Sequence, residues 1–72
     1  MDKKLFRERL VELRTEKGIG QRKLASEIDV ARGAIGHWET GRSVPSAEHA
    51  SSLAQFFNVS VDYLLGNKDE VY

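Results

Sequence analysis

The chain has 72 residues, with 11 basic and 11 acidic side chains, a net charge of zero and no cysteine. That length suits one small domain around one core, and the missing cysteine excludes disulfides and thiolate metal sites. No apolar run approaches the roughly 20 residues that cross a bilayer, and the segment from Met1 to Glu8 carries no apolar signal stretch, so a soluble cytoplasmic chain without a membrane partner is expected. Zero net charge argues against a nucleic-acid partner, but its distribution is uneven. Residues 1–42 hold ten Lys or Arg against seven Asp or Glu, and residues 43–72 hold one against four, a split of +3 and −3. A phosphate-facing end and an acidic far end produce such a polarity, and so do ordinary solvated faces.

A single proline and the lack of alternating Val/Ile/Thr runs predict an all-α chain of short turns and five helices. Helix one is expected from about Lys3 to Lys17, with Leu5, Phe6, Leu10 and Leu13 as its apolar stripe, Asp2 as its cap and Gly18 as its stop. Helix two is expected from Gln21 to Ile28, burying Leu24, Ala25 and Ile28, with Asp29-Val30-Ala31 as the turn. Helix three follows from Arg32 to Thr40, burying Ile35 and Trp38 and stopping at Gly41. Helix four starts after Pro45 with Ser46 as cap, and buries Ala47, Ala50, Leu53, Ala54 and Phe57. Helix five is a short turn from Val61 to Leu65, capped by Ser60 and stopped by Gly66. Residues 1–66 form the domain, and residues 67–72 are expected to be a loose, flexible polar tail.

The stretch from Gln21 to Pro45 is the most specific. Gln21, Ala25, Ile28, Val30, Ile35, Trp38, Glu39, Gly41 and Pro45 fall at the spacing of two short helices, a tight turn and a glycine stop. This is the shape of a helix-turn-helix, whose second helix is offered to the DNA major groove. Ala25 is small where two helices must approach closely. Trp38 shares helical phase with Ile35, so it is expected in the core rather than against a base.

Residues 5–66 resemble the Xre helix-turn-helix family, the group of phage Cro and CI-type repressors. The resemblance rests on Lys17-Gly18-Ile19-Gly20-Gln21, Leu24-Ala25, Ile35, Trp38-Glu39-Thr40-Gly41-Arg42 and Val59-Ser60-Val61-Asp62-Tyr63-Leu64-Leu65-Gly66. It implies a compact five-helix bundle of the lambda-repressor type, double-stranded DNA as partner, no cofactor, and dimerisation as the family's usual habit. It also implies a partly buried pair between Arg14 and Glu39 that ties helix one to the end of the reading helix, and a phosphate clamp at Arg42 and Ser43.

Candidate contacts follow from the residues on these elements. Gln21-Arg22-Lys23 opens helix two, where the dipole and free amides disfavour cations, and a DNA phosphate would resolve the conflict. On helix three the outward residues are Arg32, Gly33, Gly36 and His37. Arg32 can bond guanine O6 and N7 together, and His37, five residues on, reaches the same groove or its wall. Ala31, Gly33 and Gly36 stand where relatives often carry Ser, Thr or Gln. Either the glycines let the backbone approach base edges closely, or readout is sparse. Phe56 and Tyr63, with Val59, Val71 and Tyr72, are more apolar than a monomer surface needs and are candidate dimer contacts.

Enzyme readings find no support. His37 and His49 are twelve residues apart with no metal-ligand spacing, no Gly-x-Ser-x-Gly occurs, and no glycine-rich phosphate loop follows a strand. The expected role is a sequence-specific transcriptional regulator, a repressor that binds an inverted repeat as a dimer. The alternative is an antitoxin-like or adaptor module that uses the same fold to hold a protein.

Overall fold

Asp2 starts the first helix by accepting a hydrogen bond from the Leu5 N–H at 3.0 Å. In the structure, a computed structural model that describes residues 1–72, this helix is α1, Lys3–Lys17. It ends at Gly18, whose φ of +67° is the left-handed stop that a glycine adopts without a Cβ penalty. The chain continues through α2 (Gln21–Glu27), α3 (Ala34–Thr40), α4 (Ala47–Phe57) and α5 (Val61–Leu64).

The five helices surround one core. Phe6 and Leu10 of α1, Leu24 and Ala25 of α2, Ile35 and Trp38 of α3, Leu53 and Ala54 of α4 and Leu64 of α5 are buried together. Burying a Leu, Ile or Phe side chain contributes about 1.5–3 kcal/mol, so this cluster drives assembly of helices too short to stand alone. Trp38 is buried, with its ring 5.7 Å from the His49 ring, and takes no part in the outer surface. Ser46 caps α4 through the His49 N–H, and Ser60 caps α5 through the Tyr63 N–H.

The structure differs from the sequence reading at several points. Helix three starts at Ala34, two residues later than expected. Arg32 and Gly33 form a turn closed by the Ala34 N–H donating to the Ala31 carbonyl at 2.9 Å. The reason is local: Ala31 has no side-chain oxygen to cap a helix, and Gly33 weakens the first turn. Helix two likewise ends at Glu27, because Asp29 turns left-handed with φ +57° and leaves Ile28 as a half-buried cap. Ala47 is exposed in the first turn of α4 and Phe57 is only half-buried, so neither belongs to the buried set.

The C-terminal residues carry specific contacts. Asn67 N–H donates to the Asp62 carbonyl at 2.8 Å, and Ser60 N–H donates to the Val71 carbonyl at 2.7 Å. Arg9 supplies the larger anchor. Only 9% exposed, its guanidinium donates to the carbonyls of Tyr63 and Lys68 and to the Asp69 carboxylate, and it lies 4.1 Å from the Tyr63 ring centroid. An arginine on the buried stripe of α1 is satisfied because the chain after α5 folds back over it.

Candidate nucleic-acid interface

The three framework helices α1, α4 and α5 start under a side-chain cap, whereas α2 and α3 start at Gly20 and Gly33 with none. Neither α2 nor α3 has an acid in its first turn. The pair that forms the helix-turn-helix therefore has no side chain on its first-turn amides and keeps its electropositive ends unneutralised, although the Ala34 N–H is tied to the Ala31 carbonyl. Around them, Arg22, Arg32 and Arg42 are exposed and have no ion-pair partner, and Ser43 is exposed beside them in sequence. Lys23 is also exposed but lies 3.5 Å from Glu27 one turn on, a solvent-facing pair worth a few tenths of a kcal/mol.

Glu39 organises the interior side of this surface. Its carboxylate accepts two bonds from Arg14, Nε at 2.7 Å and Nη2 at 3.1 Å, and one from Gln21 Nε2 at 2.8 Å. The Glu39 side chain is 7% exposed and that of Arg14 is 19% exposed. The hydrogen bond from Arg14 to Glu39 lifts the guanidinium pKa further above its ordinary value, against an opposing effect of burial. Arg14 also donates to the Ile19 carbonyl at 3.1 Å, which fixes the loop leading into α2. The Arg14–Glu39 pair, with Gln21, thus joins α1, the start of α2 and the end of α3.

Each expected contact residue has a definite place. Gln21 stands at the first position of α2 and is engaged with Glu39, so its amide is oriented before any ligand arrives. Gly36 is half-buried on α3, and the Gln21 carboxamide lies across it, with its Oε1 3.4 Å from where a Cβ would be. At Gly36, then, the Gln21 carboxamide occupies the space that the close-approach reading of the glycines left to a base. Gly33 is exposed, with only the His37 imidazole near its missing Cβ at 3.9 Å. His37 is exposed one turn further along, and its carbonyl accepts from the N–H groups of Arg42, 2.9 Å, and Ser43, 3.4 Å. Those two bonds, with Gly41 at φ +81°, fold the Arg42-Ser43 segment back against the end of α3.

Phe56 and Tyr63 are both half-buried and both already engaged. Phe56 meets Phe57 edge to face at 5.1 Å and lies beneath the Lys17 ammonium at 5.0 Å, while Tyr63 is covered by Arg9. Sequence reasoning missed Arg9 and Arg7. Arg9 is signalled by its position on the stripe of Phe6, Leu10 and Leu13. No pattern marks Arg7, whose Nε donates to the Glu39 carbonyl at 3.1 Å.

A short helix laid across a second, with exposed arginines on the inner helix and on the turns either side of the outer one, and a buried acid behind it, defines a helix-turn-helix domain of the phage-repressor class. Residues 10–64 match the helix-turn-helix family model, and the chain belongs to that family, in its Xre-type branch. The chain is 39% identical over 64 residues to the HTH-type transcriptional activator BcrR of Enterococcus faecalis, covering 89% of this chain and 31% of that protein. It is 34% identical over 61 residues to the SPbeta prophage-derived uncharacterized HTH-type transcriptional regulator YonR of Bacillus subtilis, covering 85% of this chain and 56% of the relative. Identity to the HTH-type transcriptional regulator ImmR of Bacillus subtilis is 35% over 63 residues, 88% of this chain and 49% of that one. The chain thus spans less than two thirds of the length of these curated relatives. Among solved structures, the P22 c2 repressor protein in complex with synthetic operator 9T is similar with a TM-score of 0.82 and 31% identity, over 89% of this chain and 97% of that one. No helix here is long and apolar enough to cross a membrane.

Proposed function

We propose that this chain is the DNA-reading domain of a sequence-specific transcriptional regulator, placed on its operator with α3 in the major groove. The observation that carries the reading is the uncapped α2–α3 pair with Arg22, Arg32 and Arg42 unpaired around it. The likeness to a repressor held on operator DNA supports it. Arg32, on the turn that leads into α3, takes a guanine edge, and His37 reaches a base or the groove wall. Gln21, Arg22 and Lys23 meet the phosphate before the groove, and Arg42 and Ser43 meet the one beyond it. Lys23 exchanges Glu27 for phosphate at little cost, because the pair it leaves is solvent-exposed.

Two copies on an inverted repeat complete the reading. One head offers few base contacts, and each good bidentate contact discriminates by only about 1–3 kcal/mol. Two heads about 34 Å apart, one DNA turn, double that discrimination. The domain represses wherever its operator overlaps a promoter, and it works in the cytoplasm of a bacterial cell, where that DNA lies. Selection from a pool of random duplexes, with the winners' affinity followed across salt, tests the proposal. An enriched inverted repeat with a steep salt slope is expected. Weak, salt-insensitive binding without enrichment would overturn it in favour of a protein partner.

A further inference from the structure

The loop that leaves α3 does not stand alone. Gly41, Arg42, Ser43 and Val44 form one wall of a cleft of about 200 Å³, and Lys3, Phe6 and Arg7 of α1, with Trp38, form the other. Three cations line it and no acid does. Phe6 and Trp38 are buried aromatic residues, so a charge in the cleft has a low-dielectric surface on one side rather than bulk water all round.

Arg7 is poised within this cleft. Its Nε–H is spent on the Glu39 carbonyl, which fixes the guanidinium plane at the end of α3. Nη1 lies 3.3 Å from where a Cβ on Gly41 would be, so the guanidinium packs directly on the glycine that ends the reading helix. No hydrogen bond or ion pair uses Nη1 or Nη2. Such a guanidinium, plane fixed and terminal nitrogens unspent, presents a two-pronged donor suited to phosphate oxygens. Lys3, on the first turn of α1, and Arg42, across the cleft, add point charge to the same place.

We infer that Arg7 and Lys3 of α1, together with Arg42, hold one backbone phosphate of the bound DNA in this cleft. The inference rests on the DNA-binding reading above and extends its phosphate contacts from the helix-turn-helix onto α1. The contact is sequence-independent. It ties the first helix to the same strand that the α3–α4 loop grips, and so fixes the tilt of α3 in the groove. Glu39 joins the two levels: its carboxylate accepts from Gln21 of α2 and its carbonyl accepts from Arg7 of α1.

The alternative role for Arg7 is structural, its Nε bond to the Glu39 carbonyl closing the C-terminal end of α3, a bond that lysine does not keep. Charge and geometry separate the two. The parent protein, Arg7→Gln, Arg7→Lys and Lys3→Gln are titrated onto a random-sequence 20-base-pair duplex over a salt series, well below each variant's melting temperature. Lys4→Gln, a lysine of α1 outside this cleft, is the control. Arg7→Gln is expected to flatten the slope of log K against log salt by about 1. Arg7→Lys should largely keep the slope, although it loses the Glu39 carbonyl bond. Lys3→Gln should flatten it by a smaller amount, and Lys4→Gln should leave it unchanged. If the parent binds with a steep slope and Arg7→Gln keeps it, the phosphate role is overturned while the DNA-binding reading stands. Equal losses for Arg7→Gln and Arg7→Lys would also overturn it, in favour of the structural role. A parent that does not bind duplex DNA at any salt would overturn both.

Discussion

Removing the Glu39 carboxylate is the sharpest perturbation available. It accepts three hydrogen bonds, two from Arg14 and one from Gln21, at a side chain only 7% exposed. Glu39→Ala leaves the Arg14 cation nearly buried and uncompensated, and one-sided loss of a buried pair costs about 3–5 kcal/mol. Arg14 keeps some access to water at 19% exposure and keeps its bond to the Ile19 carbonyl, which points to the lower end, about 3 kcal/mol. For a domain of this size each kcal/mol moves the melting temperature by about 4–8 °C, so a fall of about 12–24 °C is expected. That is a large share of the whole stability of so small a core. Thermal and urea unfolding followed by circular dichroism measure it directly. Replacing both partners with apolar residues of similar volume should recover much of the loss, because the penalty lies in the stranded charge. The raised pKa of Arg14 means that the guanidinium's share of the pair is present below its ordinary pKa and is lost only as pH rises through a still higher value, so the pair should persist across neutral and mildly alkaline pH. A melting temperature within about 2 °C of the parent would refute the reasoning, since the pair would then carry no net stability of the size assigned to buried pairs.

Four further outcomes are expected. Gly66→Ala should destabilise severely, because Gly66 has φ +75° and a Cβ there would lie 2.8 Å from the Asp2 Cβ and 2.9 Å from the Leu5 Cβ; a melt shows it, and parent-like stability would mean that the α1–α5 junction is looser than the structure. Gly36→Ala should stabilise the free protein by up to about 1 kcal/mol, because a helix interior prefers alanine and the nearest atom is the movable Gln21 amide at 3.4 Å. The same variant weakens operator binding only if α3 approaches DNA at that residue, so stability and affinity are measured together. Arg32→Ala should relax discrimination at one base position, costing about 1–3 kcal/mol on the operator and much less on random duplex. Arg42→Ala should weaken all sequences alike and flatten the salt slope by about 1; a sequence-dependent loss would move Arg42 from the phosphate to a base.

How much was legible in the sequence differed by kind of residue. Caps and stops were legible because they act within four residues: Asp2, Ser46 and Ser60 accept first-turn N–H bonds, and Gly18 and Gly41 turn left-handed. The apolar stripes were legible because helical phase alone puts Phe6, Leu10, Ile35, Trp38 and Leu53 on one side each. The start of α3 was misjudged although its causes, an alanine with no capping oxygen and a glycine after it, are also local. Their effect competes with the packing of Ile35 and Trp38, and phase does not say which wins.

What the tertiary structure alone decided is where charged and polar side chains end. Long side chains reach partners far along the chain: Arg9 finds Asp69, Arg7 finds the Glu39 carbonyl, and Gln21 swings onto Gly36 to reach Glu39. Helical phase marks Arg9 as facing inward but names none of these partners, because a guanidinium or amide at the end of several rotatable bonds is placed by the surface it meets and not by its own phase. The sequence by itself determined a five-helix domain with a helix-turn-helix at its centre, since caps, glycine stops and apolar phase are properties of adjacent residues. Only the assembled core brought Arg7, Lys3 and Arg42 to one cleft and added Gln21 to the Arg14–Glu39 pair that the family resemblance implied, because hydrogen bonds and charge act through space between residues that the chain keeps apart.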